Sequence, residues 1–402
     1  MANRHFDYLI TGAGIVGLTV ARELVRRYPR SSVAIVDKEA KIGVHASGRN
    51  SGVVHSGIYY GPKTLKAKVC AEGGRRLLAF AKDAGISSEK FGKVIVAHSK
   101  SQIPSLELLM SNAEANGICA YRIDNSQLHE LEPHAADAAA AIHCPDTAVI
   151  DIHGVLNELQ RQLTDANVQF LLGTKARSVQ NDRTLLTSDG AIDFGYLFNC
   201  AGAYADALAK SCGLAEDLEL VPFKGIYWKL APHANHLVRS SIYPVPDPSM
   251  PFLGVHLTRG ITGDVYVGPT AIPALGRENY GILKGIRPKE AVDVAGRLAS
   301  LYVNNKNNFR AMAHAEVLKY YKPRFFNDAK KLCPTLKSDD MIPTPKVGIR
   351  PQLVNKRTGT LEMDYVFEQT EHSIHVLNAI SPAFTSSFAF AELIVDKSRA
   401  GV

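Results

Sequence analysis

No two of the six cysteines, Cys70, Cys119, Cys144, Cys200, Cys212 and Cys333, stand at CxxC spacing. No Cys and His set has zinc-finger spacing either. A disulfide scaffold and a structural zinc site are therefore not what organises this chain; no metal is expected, and a reducing compartment follows. Long apolar runs are missing too, none approaching the ~20 residues of a spanning helix. The opening MANRH is polar, so no signal peptide is expected there. These points favour a cytosolic protein and leave peripheral contact with a membrane open. Charge of one sign is scarce: 46 basic residues against 39 acidic give a net +7, and the basic residues are dispersed. No nucleic-acid partner is expected from so mild an excess, whereas an anionic small ligand is compatible with it. Repeats and low-complexity tracts are absent. What remains is ordinary globular composition, 46% hydrophobic and 21% charged, over 402 residues, enough for two or three domains.

The most informative stretch comes first. Phe6–Thr11 is a short apolar run, expected to be a buried strand. It enters Gly12-Ala13-Gly14-Ile15-Val16-Gly17, a GxGxxG turn, and Val16, Val20 and Leu24 then recur at helical spacing up to Tyr28. Ser32–Val36 forms a second apolar run that ends on Asp37-Lys38-Glu39, Asp37 standing twenty residues beyond Gly17. Strand, glycine turn, helix, strand and acid in this order are a dinucleotide-binding fingerprint. The glycines let the backbone approach a pyrophosphate, and the helix N-terminus supplies N–H donors and partial positive charge. Asp37 would accept the ribose hydroxyls and repel a 2′-phosphate. Both NAD and FAD satisfy this much.

The next segment separates them. Gly43 to Tyr60, GVHASGRNSGVVHSGIYY, is dense in Gly, Ser and His where a nicotinamide enzyme would continue a regular βα pattern. Such a loop suits threading along a long cofactor, with His45, Ser47, Asn50, Ser51 and Gly52 as contacts. Two later strand-to-helix turns suit the same ligand. One follows Tyr196–Cys200 and carries Ala201 and Gly202; the other follows Ser373–Asn378 and carries Ser381, Pro382 and Thr385. Three such turns spread over the chain point to FAD.

In these segments the sequence resembles the D-amino-acid-oxidase-like FAD superfamily and, within it, the L-2-hydroxyglutarate dehydrogenase/oxidase family. The resemblance runs from about residue 6 to residue 396. It rests on HASGRNSGVVHSGIYY, LKAKVC (65–70), VPFKGIY (221–227), IYPVPDPSMPFLGVHLTR (242–259), VGPT (267–270) and GIRPQ (348–352). Departures at Arg49, where the family has His, and Lys224, where it has Arg, bear on substrate more than fold. The resemblance implies an α/β protein: a Rossmann-like FAD-binding domain with an inserted, mainly antiparallel α+β substrate domain. Residues 1–88, 147–215 and 345–402 are expected in the first, 89–146 and 216–344 in the second.

The implied reaction is oxidation of L-2-hydroxyglutarate to 2-oxoglutarate, a hydride leaving Cα for the flavin and a proton leaving the hydroxyl. The substrate is then a small 2-hydroxy dicarboxylate; quinone and oxygen both remain open as electron acceptor. The proton needs a base, most often His. His55, in the glycine-rich loop, and His256, in an expected strand, are the two candidates. His55 equally suits packing against the flavin loop, and His256 a satisfied strand histidine. The carboxylates need cations, Arg favoured for its planar fork. Arg350 lies where related flavoenzymes place one; Arg259 and Lys224 are further anion binders, and Tyr60 a donor to a substrate oxygen. Lys38 and His45 are placed on the cofactor side. The alternatives are an FAD-dependent amine or amino-acid oxidase, an oxidase of another 2-hydroxy acid, and a non-catalytic escort of the same fold.

Overall fold

The computed structural model describes residues 4–247 and 252–399. Pro248–Pro251, within the 242–259 motif, lie outside them.

The opening fingerprint folds as its pattern dictates. Arg4–Thr11 is a strand, Ile15–Arg27 a helix and Val33–Asp37 a second strand. The helix buries Val16, Leu18, Val20 and Leu24 against the sheet, each worth about 1.5–3 kcal/mol relative to exposure. Arg4–Thr11 is central, pairing in parallel with Val33–Asp37 on one side and Gly190–Asn199 on the other. Gln169–Leu172 and Ser373–Val376 extend the parallel run at its two edges. The last helix, Ala383–Lys397, packs against the first helix and against the helix Leu65–Asp83. Gly73 allows that second contact, since a Cβ there would stand 2.4 Å from the Ser386 backbone.

A second, ten-stranded sheet pairs antiparallel throughout, except where Ser241–Pro244 runs parallel to Lys93–Ala97. Its spine is Leu218–Leu230 against Met341–Asn355, aligned from Leu218↔Asn355 to Leu230↔Met341. Three helices, Pro288–Asn304, Phe309–Val317 and Lys322–Leu332, follow one another before the strand Met341–Asn355.

Two expectations need correction. The boundary set at residue 345 falls inside the strand Met341–Asn355, which belongs with Thr360–Leu361 to the antiparallel sheet. Pro343, Pro345 and Pro351 argue locally against a strand, yet pairing with Leu218–Leu230 carries the run through them. The strand expected to carry His256, read from the run FLGVHLT (252–258), begins only at His256. Among the described residues no helix is long and apolar enough to cross a membrane.

Candidate functional site

One cavity of about 650 Å³ runs from the glycine turn of the parallel sheet to the face of the antiparallel sheet. Gly12, Gly14, Ile15, Val16, Asp37 and Lys38 line its first end. His45, Ser47, Asn50 and Ser51 follow from the glycine-rich loop, then Ala201 and Gly202. Ser381, Pro382 and Thr385 line it from the last turn, and His55, His256 and Arg350 close the far end. Segments more than three hundred residues apart in sequence thus share one wall.

The glycines act by removing bulk. Gly12 sits at φ +102°, and a Cβ there would stand 2.3 Å from the Cys200 carbonyl oxygen. Gly17 is outside the lining; its Cβ would stand 1.9 Å from the Gly12 carbonyl oxygen, so its absence lets helix and turn close together. Gly52 is outside the lining as well, at φ +76° against the Ile150 carbonyl. Ala13 N–H and Glu39 N–H both donate to the Asp37 carboxylate, at 2.7 and 2.8 Å. Ile15 N–H, at the helix N-terminus, donates to Ser47 Oγ at 2.9 Å. Thr385 does not cap its helix. Its hydroxyl accepts from His55 N–H at 3.1 Å and donates to the Val53 carbonyl at 3.2 Å, pinning the His55 loop.

Sidedness on the antiparallel sheet decides the cations. Phe223, Gly225 and Tyr227 line the cavity, so Lys224 between them faces the other way. Its ammonium donates to the Gly281 carbonyl at 2.6 Å and to Asn279 Oδ1 at 3.3 Å, away from the cavity. Arg259, three residues beyond His256, lies off the lining with its guanidinium over the Phe91 ring at 5.1 Å. Neither faces the site as the sequence led us to expect. Arg350 does. It pairs in register with Phe223, on the same face, and among the described residues no carboxylate lies within ion-pair distance of it. Tyr60 stands just behind the wall; burial raises its phenol pKa, against the opposing effects of Ser381 and Arg350.

Burial pushes the His256 imidazole down to about 4, Lys93 and Arg350 adding to the effect against a hydrogen bond to the Gly254 carbonyl. His55 is pushed down to about 3, again first by burial, then by Lys93, His256 and Arg350. Both rings are therefore neutral at ordinary pH. His256 Nδ1 lies 2.9 Å from the Gly254 carbonyl, which only accepts. The Nδ1 proton is thereby fixed and Nε2 keeps a free lone pair.

A strap went unseen in the sequence. Residues 277–280 reach from the antiparallel sheet side across the first end of the cavity. Arg277 pairs with Asp206 through two hydrogen bonds, that from Nη2 measuring 2.9 Å. Lys38 pairs with Glu278 at 2.8 Å, and His45 Nδ1 meets the Tyr280 hydroxyl at 2.8 Å. Sequence separation hid these contacts. Asp206 is 1% exposed and Arg277 11%, so Asp206→Ala leaves a buried guanidinium with only the Ala203 carbonyl and Glu290, 3.8 Å away, as polar partners. The expected loss is about 3–5 kcal/mol, read by denaturant unfolding of the purified protein. A loss below about 1 kcal/mol would mean the pair behaves as a surface one.

The cavity suits FAD. Its first end is a backbone cradle that a Gly14 Cβ would enter, 3.0 Å from Ser47 Oγ. The length between that cradle and Arg350 asks for an extended ligand.

The match to known proteins agrees. The family model DAO, described as FAD dependent oxidoreductase, matches residues 7–397. An L-2-hydroxyglutarate dehydrogenase of Indibacter alkaliphilus is 36% identical, the match covering 97% of this chain and 98% of that protein. The mitochondrial L-2-hydroxyglutarate dehydrogenase of Homo sapiens is 34% identical, over 98% of this chain and 88% of its own length. That of Escherichia coli is 33% identical, over 98% and 93%. Among solved structures, L-alpha-glycerophosphate oxidase from Mycoplasma pneumoniae with FAD bound superposes with a TM-score of 0.76 at 22% identity, over 98% of this chain and 94% of that one. Glycine oxidase from Geobacillus kaustophilus gives 0.72 at 17%, over 98% and 96%. At such identities the likeness is one of fold.

Proposed function

We propose that this chain, which belongs to the DAO family of FAD dependent oxidoreductases, oxidises L-2-hydroxyglutarate to 2-oxoglutarate. The observation that carries the reading is the far end of the cavity, where His55, His256 and Arg350 meet. Arg350 is half-buried in the cavity wall, and among the described residues no carboxylate lies within ion-pair distance of its guanidinium, an arrangement that a substrate carboxylate would relieve. The names of relatives sharing a third of the residues over nearly their whole length support the same substrate.

FAD, when bound, supplies the acceptor for the hydride that leaves the substrate Cα. The chain supplies the rest. Gly12 and Gly14 would open the backbone to the pyrophosphate, and Asp37, with lone pairs left over, would accept from the ribose. The loop from His45 to Ser51, with Ala201, Gly202 and the turn from Ser381 to Thr385, would hold the rest of the cofactor. We assign this role to the parallel sheet and its helices, and the substrate roof to the antiparallel sheet, including its strand to Asn355. Arg350 grips one carboxylate through its planar fork. His256 Nε2 then accepts the hydroxyl proton, with His55 as the second base candidate. Apolar neighbours Phe223, Leu253 and Ile349 exclude water around them.

The test is substrate titration of the oxidised flavin spectrum. Arg350→Ala should weaken L-2-hydroxyglutarate binding by about 2–5 kcal/mol, and Arg350→Lys by less, with flavin content intact in both. Arg259→Gln should leave the dissociation constant unchanged, because its side chain lies outside the cavity. Equal constants for wild type and both Arg350 variants would remove Arg350 from the site.

A further inference from the structure

Behind the His256 wall lies a lysine that the reaction described above does not use. Lys93 is 1% exposed, among the most buried large side chains of the molecule. Its ammonium has no hydrogen-bond partner among the described residues. A buried polar group so placed calls for an explanation. Two aromatic rings are what it has: Tyr59, with the ring centroid 4.5 Å from Nζ, and Tyr243, at 5.2 Å. Such faces favour the charged form of an amine.

Sheet register says what that charge acts on. Tyr243 pairs in parallel with Ile95, two residues along from Lys93, so Lys93 and Tyr243 share a face. On that face the Tyr243 ring stacks on His256, centroids 3.9 Å apart and planes within 26°. Lys93, Tyr243 and His256 thus form one column ending at the cavity. We propose that Lys93 is a positioning residue for proton removal: from behind the Tyr243 ring it biases His256 towards its proton-accepting form.

Burial pulls the Lys93 ammonium down, with Cys144 and Cys70 opposing that fall, and the charge that the two rings support meets no anion. The thiols of Cys70 and Cys144 and the phenols of Tyr59 and Tyr243 face Lys93, and burial pushes all four up, so none is an anion at neutral pH. His256 itself faces Lys93, Arg350 and the Gly254 carbonyl, and His55 faces Lys93, His256 and Arg350. A cation beside an imidazole disfavours the imidazolium. The inference rests on the proposed function for its kinetic meaning, but the charge effect can be read without any substrate.

The experiment is an NMR pH titration of the His256 ring in the holoprotein, its resonance identified by loss in His256→Gln. Wild type is compared with Lys93→Met, which keeps the apolar stem, and with Lys93→Gln. Removing the cation should raise the His256 midpoint by about one pH unit, a tenfold change in proton affinity. The acid limb of flavin reduction by L-2-hydroxyglutarate should move to higher pH by the same amount. Lys93→Arg should hold both near their wild-type places. A merely structural lysine would lower stability without moving either. An unmoved midpoint in both neutral variants overturns the inference, whatever the substrate; a midpoint that moves without the acid limb overturns the coupling to proton removal. Wild-type flavin that L-2-hydroxyglutarate fails to reduce counts against the proposed function, and the midpoint still decides whether Lys93 sets the charge on His256.

Discussion

Replacing His256 by Gln slows reduction of bound flavin by L-2-hydroxyglutarate by about 10²–10⁴-fold, the range of a positioned general base. Substrate affinity changes far less, because Arg350 still holds the carboxylate. The expectation follows from the ring's tautomer, with Nδ1 committed to the Gly254 carbonyl and Nε2 free. It also carries a pH signature. Burial lowers the His256 pKa from 6.5 to about 4, so the neutral, accepting form persists well below neutrality. Wild-type reduction should hold its rate as pH falls through 6.5 and decline only towards pH 4. A decline centred near 6.5 would mean that the base is solvated. His55→Gln is the companion variant. Near-normal reduction rates in both single variants, followed by anaerobic stopped flow, would remove both histidines from the reaction.

Gly14→Val should yield folded protein with almost no flavin. The backbone at Gly14 is extended, φ −85° and ψ 178°, so valine meets no conformational strain. Its Cβ would stand 3.0 Å from Ser47 Oγ, and its methyls would enter the cradle at the helix N-terminus. The loss should therefore be of cofactor, not of fold. Gly17→Val differs: its Cβ would stand 1.9 Å from the Gly12 carbonyl oxygen, which forces strand and helix apart. Flavin absorbance per protein and circular dichroism distinguish the two. Full flavin occupancy in Gly14→Val would mean the turn does not carry the pyrophosphate.

The contrast between these glycines marks where the sequence was legible. The turn, its helix and Asp37 could be read because local spacing alone produces them. The three cavity-lining turns were readable for the same reason, since each is a strand running into a helix. Sidedness was not. Lys224 and Arg259 sit in recognisable strands, but which face a strand buries depends on its partner's register. Arg350 was placed through family resemblance, and its pairing opposite Phe223 gives the physical reason. Nothing in the run GKVIVA marks Lys93 as buried; only the approach of Tyr59 and Tyr243, from distant segments, encloses its ammonium. The strap at 277–280 escaped because Asp206 and Arg277 pair across seventy-one residues. The strand through Pro343, Pro345 and Pro351 escaped because local propensity argues against it.

The most direct test of the central claim is anaerobic mixing of the purified yellow protein with L-2-hydroxyglutarate, its D enantiomer, other 2-hydroxy acids and amino acids, followed by flavin absorbance. Rapid bleaching by L-2-hydroxyglutarate, with 2-oxoglutarate formed in equal amount and little response to the rest, is the result expected. Bleaching by an amino acid while L-2-hydroxyglutarate leaves the flavin oxidised would contradict it.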